Sequence, residues 1–510
     1  MRLLPAILAF LFMGASASAS SDVSGLYRGT AKSSDGTTTE ITLNLICAGN
    51  TCQAQFFTSA GDFDGSDARV AGAHVAMKFD NGVGLGTADL TSGGGTLAGA
   101  FVLAGDKGTI RLARKGDALA PDAMNPRLDL TPAQWHEDVR ALAIELPKHH
   151  ANAFFSLTKA DFAAEIAALD KHSDTANGDE MFVGLQEIAK SIGDGHTGIV
   201  APADRRIMPL EINRFGRDFR IIAVGPGLDR ALGARILKIG GMPVSLVWSR
   251  VMTLTPRAER KELRDGEALI YLARGYALHG LGVIPDRNHA VYMLKDDSGR
   301  MFDVDVQGLK PQEDAKLKSL APPTALRAQK PDAPFRCENL ARAHAVYCAW
   351  RSYQDLHTNA RAMFALIDSA RPRKLIIDMR DNGGGDNTVG YDELVKPIEA
   401  REDIDARGHL YVLIGPLTFS AAMNNAAQFQ DQTKAILVGQ TIGERPNSYQ
   451  EPRQFRLPNS HLVVRASTLW YAFRKKGPNV VAPEKEIVPT WNDMKAGRDP
   501  VLDWVLEAKG

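Results

Sequence analysis

The sequence predicts an α/β core in its last third, preceded by a helical segment, a mixed region and a small antiparallel β module. Three observations carry that prediction. Up to about residue 115, short alternating runs are separated by turns rich in Gly, Ser and Thr. From about 131 to 192, apolar residues recur at helical spacing. Beyond 335, short apolar runs are each followed by a glycine-containing turn, the pattern of strands buried on both faces. At 510 residues the chain is too long for one core, and its 44% hydrophobic and 24% charged residues exclude global disorder. Sixty basic side chains cancel sixty acidic ones, which argues against a nucleic-acid binder with a basic surplus for phosphates.

Taken in order, Arg2 opens an N-terminal stretch that continues with apolar Leu3 to Met13, broken only by Pro5, and then small Ala15 to Ala19. That order is a secretory signal peptide over residues 1–19, cut after Ala17 or Ala19, and it implies a periplasmic or secreted protein. No later apolar run reaches the roughly 20 residues of a membrane helix. The β module follows over 21–115, with turns expected at Ser33–Gly36, Ala48–Thr51 and Ser92–Gly95. Ile41, Leu43, Leu45 and Cys47 alternate with polar neighbours, and Cys52, Ala54 and Phe56 resume the alternation. A hairpin with a four-residue loop would therefore set Cys47 opposite Cys52. Cys337 and Cys348 form a second close pair. In an oxidising compartment both are expected as disulfides, each contributing about 2–3 kcal/mol because short loops remove little chain entropy. Neither spacing is that of a zinc site, and adjacent His149 and His150 do not share a helix face, so no metal or organic cofactor is implied.

Pro121 and Pro126 mark a linker. Thr131 and Pro132 then supply an N-cap and a first-turn proline for the helical part, residues 131–204. Helical spacing recurs at Asp161–Leu169 and Asp179–Ile192, where Met181, Leu185, Ile188 and Ile192 form a stripe that Gly193 ends. Residues 205–309 are mixed, with strands expected at Phe219–Val224 and Ala234–Ile239. A proline-rich linker over 310–334 leads to the core, 335–510, with strands at Lys374–Met379 and Leu410–Ile414.

Chemistry concentrates in that core. The strand Leu410–Ile414 runs through Gly415-Pro416-Leu417-Thr418-Phe419 to Ser420, ahead of the helix-prone Ala421–Ala427. A serine at the carboxyl end of a strand and the start of a helix can act as nucleophile, with the Ala421 N–H facing an oxyanion, or can merely cap the helix. Arg380-Asp381-Asn382-Gly383-Gly384-Gly385 offers further N–H groups, and lacks the spacing of a phosphate-binding loop. Serine needs a base, and His196 stands just past the helix that ends at Ile192, where a helix C-terminus favours imidazolium.

Four stretches, Gly193–Thr197 (GDGHT), Lys374–Gly385 (KLIIDMRDNGGG), Gly415–Ala422 (GPLTFSAA) and Val438–Glu451 (VGQTIGERPNSYQE), come in an order that resembles the tail-specific, C-terminal processing family of serine peptidases. The likeness runs from about Leu130 to the end, including Gly497–Leu502 (GRDPVL). It implies a crotonase-like catalytic core and a PDZ-like module at 205–309, where ARILKIGGMPV resembles a PDZ strand and turn. It also implies Ser420 as nucleophile, with Gly384 and Ala421 as the oxyanion hole. The processing peptidases take a lysine base from a Phe-Gly-Lys-Gly turn. Here the turn is Ile442-Gly443-Glu444-Arg445, so that dyad is absent, and Arg445 is no base. His196 stands where the tricorn-like branch places its histidine, although Gly195 replaces the serine that precedes it there. Glu451 falls where relatives carry Glu or Gln and is expected to orient His196, with Glu444 as the rival.

These readings make the protein an exported serine peptidase acting on peptides or unfolded proteins through an acyl-enzyme. The alternatives are an inactive peptide- or ligand-binding protein on the same fold, and an esterase.

Overall fold

The computed structural model describes residues 23–508, apart from 82–84, 104–105, 203–204, 311–312, 314–315 and 323–324. The signal peptide expected over 1–19 lies outside the described residues. The chain divides into two compact units, one ending at Met124 and one beginning at Asn125.

In the first unit the alternation becomes eight antiparallel strands, from Gly25–Ser33 to Asp106–Gly116, and the last pairs with the first. Closing the barrel leaves no sheet edge open. Tyr27, Leu43, Leu45, Phe56, Leu90 and Leu97 fill its interior. Cys47 and Cys52 are direct cross-strand partners and are bonded. The loop between them is shorter than the spacing predicts. Ala48 pairs with Thr51, so only Gly49 and Asn50 turn, with Gly49 at φ 62° as a two-residue hairpin requires.

The second unit opens on the expected helices, Pro132–His149, Lys159–His172 and Gly178–Ser191. Thr131 and Gln134 form a reciprocal capping box on the first. Buried Asp138 on that helix accepts from the backbone N–H groups of Asn459 and Ser460, each at 2.8 Å. It thereby grips the turn of a hairpin, Asn447–Arg456 with Val463–Ala472. The mixed region forms an antiparallel sheet through Leu210–Phe215, Asp218–Val224, Arg235–Ile239, His289–Lys295 and Met301–Gln307, around its own apolar core.

The α/β core is a six-stranded sheet in the order Phe335–Leu340, Ala345–Trp350, Lys374–Asp378, Leu410–Ile414, Ile436–Gly439, Lys485–Glu486. Only the first pair is antiparallel, and the Cys337–Cys348 disulfide joins it. Helices Leu356–Ala370 and Ala421–Gln432 are crossovers of the parallel part. At the carboxyl end of Lys374–Asp378, buried Arg380 binds Asp378 at 2.7 Å and Asp499 at 2.6 Å. Asp499 in turn caps the helix Pro500–Glu507, whose last carbonyls accept from Lys374 Nζ. Among the described residues no helix is long and apolar enough to cross a membrane.

Candidate active site

Ser420 sits between the strand Leu410–Ile414 and the helix Ala421–Gln432 at φ 55°, ψ −126°, and its side chain makes no capping bond. The capping role therefore falls away. That backbone costs of order 1–3 kcal/mol, so the surrounding bonds must hold it. Thr418 Oγ1 donates to the Met379 carbonyl at 2.9 Å and accepts from Gly415 N–H at 3.1 Å. Phe419 N–H donates to the Asn382 carbonyl at 3.0 Å, and Ser420 N–H donates to the Glu444 carboxyl.

His196 arrives from the other side. Gly193, at φ 117°, turns the chain out of the third helix, and Gly198–Ile199 pairs with Val464 and Arg465 of the hairpin. Between them Asp194 Oδ1 accepts from His196 N–H at 3.0 Å, Thr197 N–H at 2.8 Å and Ser467 Oγ at 2.6 Å. Its other oxygen accepts from His150 Nε2 at 2.9 Å. The His150 proton lies on that nitrogen because Nδ1 accepts from Asn152 N–H. Burial alone would raise the Asp194 carboxyl, but the bonds from His150, Ser467 and Thr197 outweigh it and hold the group at about 2. The loop is thus fixed by a buried carboxylate.

His196 Nε2 lies 3.0 Å from Ser420 Oγ, with the Phe419 ring stacked on the imidazole at 4.5 Å. Its Nδ1 faces Glu444 Oε1 at 3.5 Å, and neither atom has a hydrogen-bond partner among the described residues. Burial lowers His196 to about 4 against the pull of Asp194. The helix end, which alone would favour imidazolium, is outweighed because the ring is enclosed. Burial acts on Glu444 in the opposite sense and holds its carboxyl well above the usual range.

Gly384, at φ 108°, lies against the nucleophile turn. A Cβ there would meet Ser420 Cβ at 2.8 Å and Ala421 N at 3.2 Å. The Gly384 N–H donates to Asn382 Oδ1 at 3.0 Å, while the Ala421 N–H, first of its helix, has no intrahelical acceptor.

The expectation for Glu451 is corrected. Its Oε1 accepts from the Tyr471 hydroxyl at 2.9 Å on the exposed side of the hairpin, whereas Glu444 is the carboxyl against His196. The signal for Glu444 was present in the sequence. A residue of the wrong charge for a serine–lysine pair is of the right charge to orient a histidine. Gly195 has a reason too, since a Cβ there would fall 2.9 Å from the Phe419 ring and 3.1 Å from Leu263. His150 and Asp194 as supports of the histidine loop were not legible.

Residues 349–483 match the model of peptidase family S41. The matched S41 segment contains Ser420, the Gly384 loop and Glu444, and His196 precedes it. The crystal structure of a serine-to-alanine mutant of CPAF shares the fold, with a TM-score of 0.51 at 12% identity over 74% of this chain and 99% of that one. The photosystem II D1 C-terminal processing protease matches at a TM-score of 0.34 and 13% identity, over 70% of this chain and 92% of its own. No curated protein matches this chain in sequence.

Proposed function

We propose that this protein is an exported serine peptidase in which Ser420 is the nucleophile, His196 its base and Glu444 the carboxyl that orients the base. The observation that carries the reading is the 3.0 Å approach of His196 Nε2 to Ser420 Oγ, two groups 224 residues apart. In the reaction His196 takes the Ser420 proton while Oγ attacks a peptide carbonyl. Glu444, ionised, faces the imidazolium that results. The oxyanion forms at the Ala421 N–H, joined by the Gly384 N–H once Asn382 releases it. His196 then protonates the leaving amine, and water frees the acyl group by the same path. The base supplies ~10²–10⁴-fold, and each lost oxyanion donor costs ~10²–10³-fold. The signal-like N-terminus and two disulfides support export.

The test is labelling of the pure, folded protein by a fluorophosphonate probe. Wild type should label and Ser420→Ala should not. A folded wild type that never labels would sink the peptidase reading and leave a binding protein on the same fold.

The tight seat of Gly195 gives a further prediction. Gly195→Ser drives a side chain into Phe419 and Leu263 and should displace His196. The labelling rate should drop at least ~10-fold, equivalent to about 1.4 kcal/mol at the barrier. A wild-type rate in that variant would show that the contact is soft.

A further inference from the structure

We infer that Glu259 is a positioning residue for His196, and that the segment from Arg257 to Gly266 is the brace on which the site's three turns are set. This rests on the peptidase reading above. The segment enters from the mixed region and ends in the helix Lys261–Tyr271. It follows the histidine loop closely. Arg257 N–H donates to the Lys190 carbonyl at 3.2 Å and Ala258 N–H to the Gly193 carbonyl at 3.1 Å. Glu259 Oε1 then accepts from Gly195 N–H at 3.3 Å, one residue before His196.

The helix that follows reaches the other two turns. Leu263 N would lie 2.1 Å from a Cβ on Gly443, beside Glu444, and a Cβ on Gly266 would lie 2.6 Å from Leu417 in the nucleophile turn. Gly195, Gly443 and Gly266 therefore lie in close contact with one short stretch of chain or with the turn it meets. A displacement of that stretch moves the base, its orienting carboxyl and the nucleophile together.

Glu259 is the unusual member of the brace. It is buried, and its Oε2 has no hydrogen-bond partner among the described residues. A buried carboxyl oxygen without a partner is costly and unnecessary for packing alone. The charges of Asp194, Arg445 and Glu267 act on it, and Glu259 itself disfavours ionisation of Glu444. Burial, with Asp194 adding to it, raises Glu259 to about 7. Its charge thus bears on the carboxyl that must ionise opposite His196.

The experiment compares full-length wild type, Glu259→Ala and Glu259→Gln by fluorophosphonate labelling rate across pH, and by the imidazole NMR signals of His196. Glu259→Ala removes the acceptor for Gly195 N–H and should label at least ~10-fold more slowly. Glu259→Gln keeps an amide oxygen for that bond and should stay within about threefold of wild type. Its acid limb should move to lower pH, because Glu444 then ionises more readily. Wild-type labelling in Glu259→Ala, or equal damage in both variants, would overturn the proposal. If Glu259→Ala does not fold, an unmoved acid limb in Glu259→Gln overturns it. If wild type itself does not label, the peptidase reading fails. The NMR signal then decides the brace alone: a His196 resonance displaced in Glu259→Ala and retained in Glu259→Gln supports it, and an unmoved one sinks it.

Discussion

Replacing His196 with alanine should lower peptide hydrolysis about as far as replacing Ser420, by ~10⁴–10⁶-fold, and the double variant should fall no further. The reason is the shared proton. Among the described residues Ser420 Oγ reaches no other base, since the carboxyl of Glu444 is taken up by the Ser420 N–H and faces Nδ1 rather than the hydroxyl. A serine without His196 is an ordinary alcohol, and a His196 without Ser420 has nothing to deprotonate. What survives is the oxyanion contact of the Ala421 N–H. Single-turnover kinetics on a peptide substrate would show it. Losses that multiply in the double variant would mean that the two residues act separately.

Glu444→Gln should reduce kcat by ~10²–10⁴-fold, and Glu451→Gln should leave it unchanged. The amide can neither ionise opposite the imidazolium nor fix the tautomer. Glu451 is 20 residues from its partner Tyr471 and touches neither Ser420 nor His196 in its bonds. The pH profile separates the two further. Burial holds Glu444 above the usual carboxylate range, so its proton leaves only as pH rises, and wild-type kcat should climb through that interval. His196, at about 4, is already neutral there and sets no limit of its own. The apparent value belongs to the pair. Folding stability carries the opposite sign. A carboxyl whose folded value is raised above its ordinary 4.5 stabilises most below that pH, and the contribution is lost as pH rises through the folded value. Glu444→Gln should therefore lose less stability than wild type on going alkaline. Thermal melts at several pH values would check this, and parallel curves for the two proteins would refute it.

Much of this site was readable before any coordinates. Ser420, the Gly384 loop and His196 lie in local motifs, where a strand end, a glycine run and a helix stop fix the backbone over a few residues. Cys47 and Cys52 were legible for the same reason, because alternation sets cross-strand partners directly. The failures share a cause. Glu444 and Glu451 sit seven residues apart, the first in the bend before the hairpin and the second within its strand Asn447–Arg456, and which one faces inward depends on how the hairpin leaves the sheet. Glu259 and His150 reach the histidine loop from distant segments, so no spacing announces them. Closure of the barrel likewise depends on the first strand meeting the eighth, a long-range pairing that local alternation does not encode.

The Arg380 cluster has a consequence for biogenesis. The guanidinium is buried between Asp378, made just before it, and Asp499, made more than a hundred residues later. A nascent chain that has already exposed Ser420 still lacks the second countercharge, and a half-neutralised buried arginine costs several kcal/mol. Arg380 leads directly into the loop that carries Gly384. The Gly384 loop therefore settles late in folding, once the segment that carries Asp499 has joined the core, and a chain cut short before Asp499 holds Ser420 beside an unsettled loop.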